Sequence, residues 1–206
     1  ASVKVAQMMT SEEYYDALQL FGFGQRTGID LPGESTGLLP KASTWDISTH
    51  ASMAYGYGAS VTAIQLISAV NAIANDGVWI TPHVIKYSDA EAEQKIVKRR
   101  IMTHEQAQEI TELLVKSIEA GRSMGKMEAY TVAAKTGTSR RPNDKGTGYS
   151  NKLYTSMIGF LPASDPKVTI YVVIDSPQGG GLWGSTIAGP VFTVVATVLV
   201  RFMNIY

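Results

Sequence analysis

Val132-Ala-Ala-Lys-Thr-Gly-Thr138 is the stretch on which the fold turns. Before it, apolar residues recur at helical spacing. From it onward they come in short extended blocks bounded by turn residues. Tyr130 to Thr138, Lys152 to Leu161 and Val168 to Asp175 read as three strands. Pro162-Ala-Ser-Asp-Pro166 joins the last two as a compact turn, which predicts an antiparallel hairpin. The polar segment from Arg140 to Asn151, with Gly146 and Gly148, reads as a loop between the first two. Gly179-Gly-Gly181 then leads into a final helix, about Gly184 to Met203.

Working back from the same stretch, Thr103 opens a helix, with Gln106 at capping-box spacing. Ile110, Leu113, Leu114, Val115 and Ile118 form its apolar side and Gly121 ends it. Val78 to Tyr87 is short and extended, and Pro82 inside it favours an edge position. A helix starting near Ser60 or Thr62 carries Ala63, Ile64, Leu66, Ile67, Val70, Ile73 and Ala74 around most of its circumference, so it is predicted to be buried. Asn75-Asp76-Gly77 ends it in a turn. Gln25 to Lys41 is rich in Gly and Pro and reads as an ordered loop. Ser11 to Phe21 is helical, with Ser11 as cap and Glu12 and Glu13 at the positive end. The pattern is already helical at Ala1. Helices, then strands, then a helix argue for an α+β fold, an antiparallel sheet flanked by helices.

The composition excludes several functions. The chain has 206 residues, 45% hydrophobic and 17% charged, which is globular rather than disordered. Eighteen basic residues balance eighteen acidic ones, so nothing marks a nucleic-acid partner. There is no cysteine, hence no disulfide, thiolate metal site or cysteine nucleophile. His50, His83 and His104 lack metal-ligand spacing, and no cofactor or metal is expected. The longest apolar run, Ile187 to Met203, is broken by Gly189, Pro190 and Arg201 and reads as a core helix rather than a membrane span. Met8, Met9, Tyr14 and Tyr15 read as core contacts.

Lys135-Thr-Gly-Thr138 packs an ammonium and two hydroxyls into four residues. In an extended chain Thr136 and Thr138 share one side and Lys135 takes the other. Gly137, without a side chain, lets a ligand backbone approach the strand. An edge strand of this kind holds an extended peptide by main-chain pairing, the hydroxyls bind its carboxylate, and the lysine makes the potential positive. Four residues alone favour a polar strand end running into a turn.

The surroundings decide it. Phe21-Gly-Phe-Gly-Gln-Arg-Thr-Gly-Ile-Asp-Leu-Pro-Gly-Glu34, Tyr55-Gly-Tyr-Gly-Ala-Ser-Val-Thr-Ala-Ile-Gln-Leu66, Ala72-Ile-Ala-Asn-Asp-Gly-Val78, Val132-Ala-Ala-Lys-Thr-Gly-Thr138, Ile158-Gly-Phe-Leu-Pro162, Asp165-Pro166 and Ala188-Gly-Pro-Val-Phe192 occur in this order. Together they resemble the C-terminal part of the transpeptidase domain of class B penicillin-binding proteins, the peptidoglycan D,D-transpeptidases. Their signature combines S-x-x-K, a second serine motif and K-T-G. The resemblance implies a serine enzyme of bacterial peptidoglycan biosynthesis. Such an enzyme acylates itself on a D-Ala-D-Ala stem peptide, passes the acyl group to a neighbouring stem and is trapped by β-lactams. It implies that Lys135 supplies positive charge, that Thr136, Gly137 and Thr138 bind the substrate or drug carboxylate, and that the Thr138 backbone N–H is one oxyanion-hole donor. It also implies action on the extracytoplasmic face of the cell membrane, held by an upstream anchor, with division or elongation machinery as further partners.

The first two motifs are expected upstream of Phe21, and the twenty residues before it hold neither. We therefore expect residues 1–206 to be the C-terminal part of one transpeptidase domain, starting just past the second motif. The nucleophilic serine is then carried by an upstream part of the same protein. Ser123-Met-Gly-Lys126 spells S-x-x-K but falls in a polar loop rather than at the start of a buried helix, so it reads as a decoy. Ser150-Asn151 reads as a solvated turn. Trp183, after three glycines, reads as either cleft rim or loop packing. A non-catalytic cell-wall or division scaffold of the same fold is one alternative. A D,D-carboxypeptidase or β-lactamase relative is another.

Overall fold

The computed structural model describes residues 1–120, 127, 130–144 and 147–205. They form two compact units, residues 1–72 with 77–102, and residues 73–76 with 103–206.

The first unit is mainly helical. It contains α1 (Ser2–Ala6), α2 (Ser11–Leu20), a 3-10 turn at Ala42–Thr44, α3 (Ile47–Met53) and most of α4 (Ala63–Ala74). It continues with β1 (Val78–Ile80), α5 (Asp89–Lys95) and β2 (Lys98–Arg100). Thr10, not Ser11, caps α2. Its hydroxyl takes the Glu13 N–H at 3.2 Å while the Glu13 carboxylate takes the Thr10 N–H at 2.8 Å. The spacing of a hydroxyl and a glutamate three residues on decides between the two neighbours. The expected extended run from Val78 to Tyr87 shrinks to three residues, paired antiparallel with Lys98–Arg100. Pro82 lies past its end. Tyr14 and Tyr15 pack edge-on against Trp45, but Met8 is 83% exposed and contributes nothing to a core.

The segment from Gln25 to Lys41 is ordered by side chains that take over backbone hydrogen bonding. Gln65, 0% exposed, donates to the carbonyls of Gln25 at 2.7 Å and Thr36 at 2.9 Å and accepts the Thr62 N–H at 2.9 Å. The Glu34 carboxylate accepts the Thr27 hydroxyl and N–H, both at 2.6 Å, and the Gly28 N–H at 3.1 Å. Asp30 accepts N–H groups of Val84 and Ile85 and the Tyr87 hydroxyl. Asp46 caps α3 through the Thr49 N–H at 2.7 Å.

These bonds favour the ionised carboxylates. The Thr49 and Ser48 donors lower Asp46 to about 2. The Val84 N–H, helped by Ile85 and Tyr87, lowers Asp30. Partial burial opposes the charge on Glu34, but the Thr27 and Gly28 donors and Arg26 outweigh it. A depressed folded pKa gives stability that is present above the unfolded value and lost as pH falls through the folded one. The first unit is therefore expected to hold its far-UV signal down to about pH 4 and to loosen between about pH 4 and 2. A flat stability profile across that window would contradict these clasps.

The second unit carries α6 (His104–Ala120), β3 (Ala133–Pro142), β4 (Tyr149–Leu161), β5 (Val168–Asp175) and α7 (Gly184–Phe202). The strands form one antiparallel sheet in the order β3-β4-β5, with Lys135 opposite Ile158 and Val168 opposite Leu161. The α+β class is as expected. Thr103 and Gln106 form the expected capping box, at 2.9 and 3.2 Å. Gly121, read as the stop of α6, lies outside the described residues, as does Ser123-Met-Gly-Lys126. On α6, Ala107 and Ile118 are buried but Leu113 is 60% exposed, so the expected apolar side is narrower. His104 is exposed and pairs with Asp76.

The expected polar loop from Arg140 to Asn151 is strand at both its ends. β3 runs on to Pro142 through an irregularity between Arg140 and Pro142, and β4 starts at Tyr149. Ser150 is therefore not a solvated turn, and its hydroxyl donates to the Arg141 carbonyl at 3.1 Å. Lys135-Thr-Gly-Thr138 thus sits inside a strand, not at its end.

α7 lies on this sheet. Gly184, Ala188, Phe192, Ala196 and Val200 are buried at intervals of four, the spacing of one helix face. By length and composition α7 could cross a membrane, yet this seam packs with Val132, Ala134, Met157, Leu161 and Ile170 as a core. Its outer side stays open, with Val194 64% and Phe202 82% exposed. Phe192 is fully buried in that core. Phe192→Ala is expected to destabilise the unit by about 3–5 kcal/mol, read from denaturant unfolding.

Candidate active site

Lys135, Thr136, Gly137 and Thr138 occupy consecutive positions of β3, which is an edge strand of the sheet among the described residues. Strand alternation puts Ala134, Thr136 and Thr138 on one face and Lys135 and Gly137 on the other. The buried Ala134 belongs to the core under α7, so the two threonines lie on the α7 side. Lys135 is exposed, and its ammonium donates to the Thr136 carbonyl at 3.0 Å.

Thr138 is fixed from behind. Its hydroxyl accepts the N–H of Gly184, the first residue of α7, at 3.0 Å. The approach is close enough to require glycine. A Cβ on Gly184 would come within 2.5 Å of the Gly137 carbonyl oxygen and 2.6 Å of the Ser156 carbonyl oxygen. Gly137 is bare for a reason beyond ligand approach, since a Cβ there would meet the Ser156 hydroxyl at 2.6 Å. The amino terminus of α7 is therefore seated on the β3–β4 ladder at the glycine of the motif. Its partial positive charge adds to that of Lys135 on the same four residues.

Trp183 precedes Gly184 and is 65% exposed, so it does not fill a hydrophobic gap. The three glycines before it face open space: a Cβ on any of them would touch nothing within 4 Å.

The Gly184 amide was not legible in the sequence as a site group, although Gly-Gly-Gly-Leu-Trp-Gly marks where a helix must start against something close. Thr155 lies opposite Thr138 in the register, buried between Leu153 and Met157 along the same face of β4.

A second concavity, of about 470 Å³, lies in the first unit between Met9, Thr10, Trp45, Ile47 and His50. His50 Nε2 is 2.9 Å from the Ala6 carbonyl, which can only accept, so Nε2 carries the hydrogen. Nδ1 then accepts from the Ser11 hydroxyl at 2.9 Å. Both ring nitrogens are spent on joining α1, α2 and α3.

β3 bears a K-T-G motif and is backed by a helix amino terminus, and the chain belongs to the penicillin binding protein transpeptidase domain family. Residues 1–196 match the penicillin binding protein transpeptidase domain family. Among curated proteins, stage V sporulation protein D of Bacillus subtilis is 34% identical over 197 residues, 92% of this chain and 30% of that protein. A probable peptidoglycan D,D-transpeptidase of Neisseria flavescens is 32% identical over 98% of this chain and 50% of its own length. The chain thus spans between about a third and a half of the relatives it matches. Among solved structures, the transpeptidase domain of penicillin-binding protein 3 from Burkholderia pseudomallei superposes with a TM-score of 0.87. Its identity is 30%, covering 99% of this chain and 61% of that one. Penicillin-binding protein 3 of Mycobacterium tuberculosis, complexed with aztreonam, gives a TM-score of 0.87 at 28% identity, covering 99% of this chain and 49% of that one.

Proposed function

We propose that residues 1–206 form one wall of the active site of a serine-type D-Ala-D-Ala transpeptidase that cross-links peptidoglycan stem peptides and is acylated by β-lactams. The observation that carries this reading is the exposed edge of β3, with Lys135 free of any acidic partner among the described residues and Thr138 held by the Gly184 amide.

In the proposed reaction the stem peptide, or a β-lactam in its place, lies along β3. Thr136 and Thr138 donate to its carboxylate. Lys135 offsets the negative charge that gathers in the cleft. The Thr138 N–H stabilises the oxyanion formed when the serine oxygen attacks the carbonyl carbon. The carbonyl–nitrogen bond breaks and the nitrogen takes the proton given up by the serine: D-alanine departs from a stem peptide, whereas a β-lactam ring opens and its nitrogen stays tethered to the acyl group. The acyl group then passes to an amine of a neighbouring stem. The serine belongs to a part of the protein outside these 206 residues, which are the C-terminal part of a single domain. The domain works on the outer face of the bacterial membrane, held there by another segment, in division or elongation assemblies.

The test is labelling with a fluorescent penicillin. The full-length protein is expected to carry one covalent label per molecule, and the 206-residue chain alone none. A label mapped to Ser123 in the isolated chain would overturn the assignment of the nucleophile. An unlabelled full-length protein would overturn the enzyme.

A further inference from the structure

The structure assigns to Arg140 a second anion-binding position on β3, one that selects acyl donors carrying a further carboxylate on the acyl side of the scissile bond. The inference rests on the reading of Thr136 and Thr138 as carboxylate-binding groups and of the Thr138 N–H as an oxyanion donor.

That reading gives the ligand a direction. Its first carboxylate lies at the Thr136 and Thr138 hydroxyls, and its reacting carbonyl lies at the Thr138 N–H. From carboxylate to carbonyl, the ligand therefore runs from Thr136 toward Thr138, and its acyl portion continues past Thr138. The strand continues there too. β3 extends to Pro142, and Ser139 and Arg140 stay paired with Tyr154 and Leu153 of β4. β5 ends at Asp175, opposite Tyr154, so β3 and β4 run on beyond it as a two-stranded ribbon.

Side chains alternate along a strand, so Arg140 stands on the same face as Thr136 and Thr138. It is exposed, and two residues of strand place it about 7 Å beyond Thr138. A guanidinium is a planar fork of donors that matches a carboxylate and stays charged at any working pH.

The neighbouring arginine has a different position and different partners. Arg141 falls on the opposite face, where its guanidinium bonds Asp144 at 2.8 Å and lies 3.8 Å from Asp175. Its charge is met within the ribbon and on β5. On the threonine face, the α7 amino terminus at Gly137 and Thr138 is itself positive. The strand thus presents two positive groups in succession, one at Thr138 and one at Arg140. In a stem peptide the group that fits the second is a free carboxylate on the residue before the D-Ala-D-Ala pair. Amidation of that carboxylate removes the charge and the preference.

The experiment compares acylation of the full-length protein by benzylpenicillin and by its α-carboxy derivative, which adds one carboxylate to the acyl side chain. Arg140→Gln is expected to slow the α-carboxy compound about fivefold, the upper end for an exposed ion pair, and benzylpenicillin less than about twofold. Arg140→Lys keeps the charge without the fork and is expected to fall between parent and Arg140→Gln. Added salt is expected to shrink the difference between the two compounds. The unfolding midpoint is expected to stay within about a degree or two. The inference is overturned if Arg140→Gln leaves the ratio of the two rates unchanged, whether both slow or neither does. Thr138→Val separates the two levels of the argument. If it leaves both compounds unaffected, the carboxylate site itself is wrong. If it slows both while Arg140→Gln leaves their ratio unchanged, only the role of Arg140 falls.

Discussion

Lys135→Ala in the full-length protein is expected to lower the rate of β-lactam acylation by about tenfold or more, the usual loss when an electrostatic stabiliser is removed from a reacting centre. The size of the effect follows from where the charge stands. The ammonium sits on an exposed strand edge and is bonded to a backbone carbonyl at 3.0 Å, and no carboxylate pairs with it among the described residues. Its charge is therefore not cancelled locally and acts on whatever anion binds beside it. The α7 amino terminus holds Thr138 independently of Lys135, so the substitution removes charge without dismantling the carboxylate site. The second-order rate constant should fall while the unfolding midpoint stays within about a degree or two, as for exposed substitutions generally. Unchanged acylation would take Lys135 out of the mechanism.

Produced alone, the 206-residue chain is expected to be insoluble or loosely folded. β5 is an edge of the three-stranded sheet among the described residues, and unpaired edges recruit other strands. On α7, Val191, Val194, Val198 and Phe202 are 42%, 64%, 59% and 82% exposed, a contiguous apolar side of the kind that marks an interface or an aggregation surface. Both features lie in the unit that carries the site. Size-exclusion chromatography and thermal unfolding decide the matter. A monodisperse chain with one cooperative transition would show that these surfaces need no cover.

What the sequence made legible tracks how much side-chain burial each element has. β5 was read from Val168 to Asp175 and is observed there, because it alternates within a sheet that fixes its register. α7 was read as a core helix because Gly189, Pro190 and Arg201 break its apolar run, and one face of it is indeed buried. The extension of β3 and β4 beyond Arg140 was missed. That ribbon leaves the core, its side chains are polar, and pairing is enforced by backbone bonds that leave no hydrophobic trace. α5 was missed for the same reason, with no buried residue among Asp89–Lys95. Its Ser88 and Glu91 capping pair was the available signal. β2 consists of Lys98, Arg99 and Arg100, which no strand preference would select. Within the site, the four residues of the motif were legible as chemistry. The Gly184 amide behind them was not, because a backbone amide has no letter.

Gln65 has a consequence of a different kind. One buried amide group joins the two ends of a loop from Gln25 to Thr36 and the first turn of α4. The Glu34 clasp on Thr27 and Gly28 and the Leu38–Ser60 backbone pair hold the same segment from other points, so its closure is shared. Rotation of the Gln65 amide would release Gln25 and Thr36 in one event, so cleavage at those two positions is expected to follow the local opening of the first turn of α4.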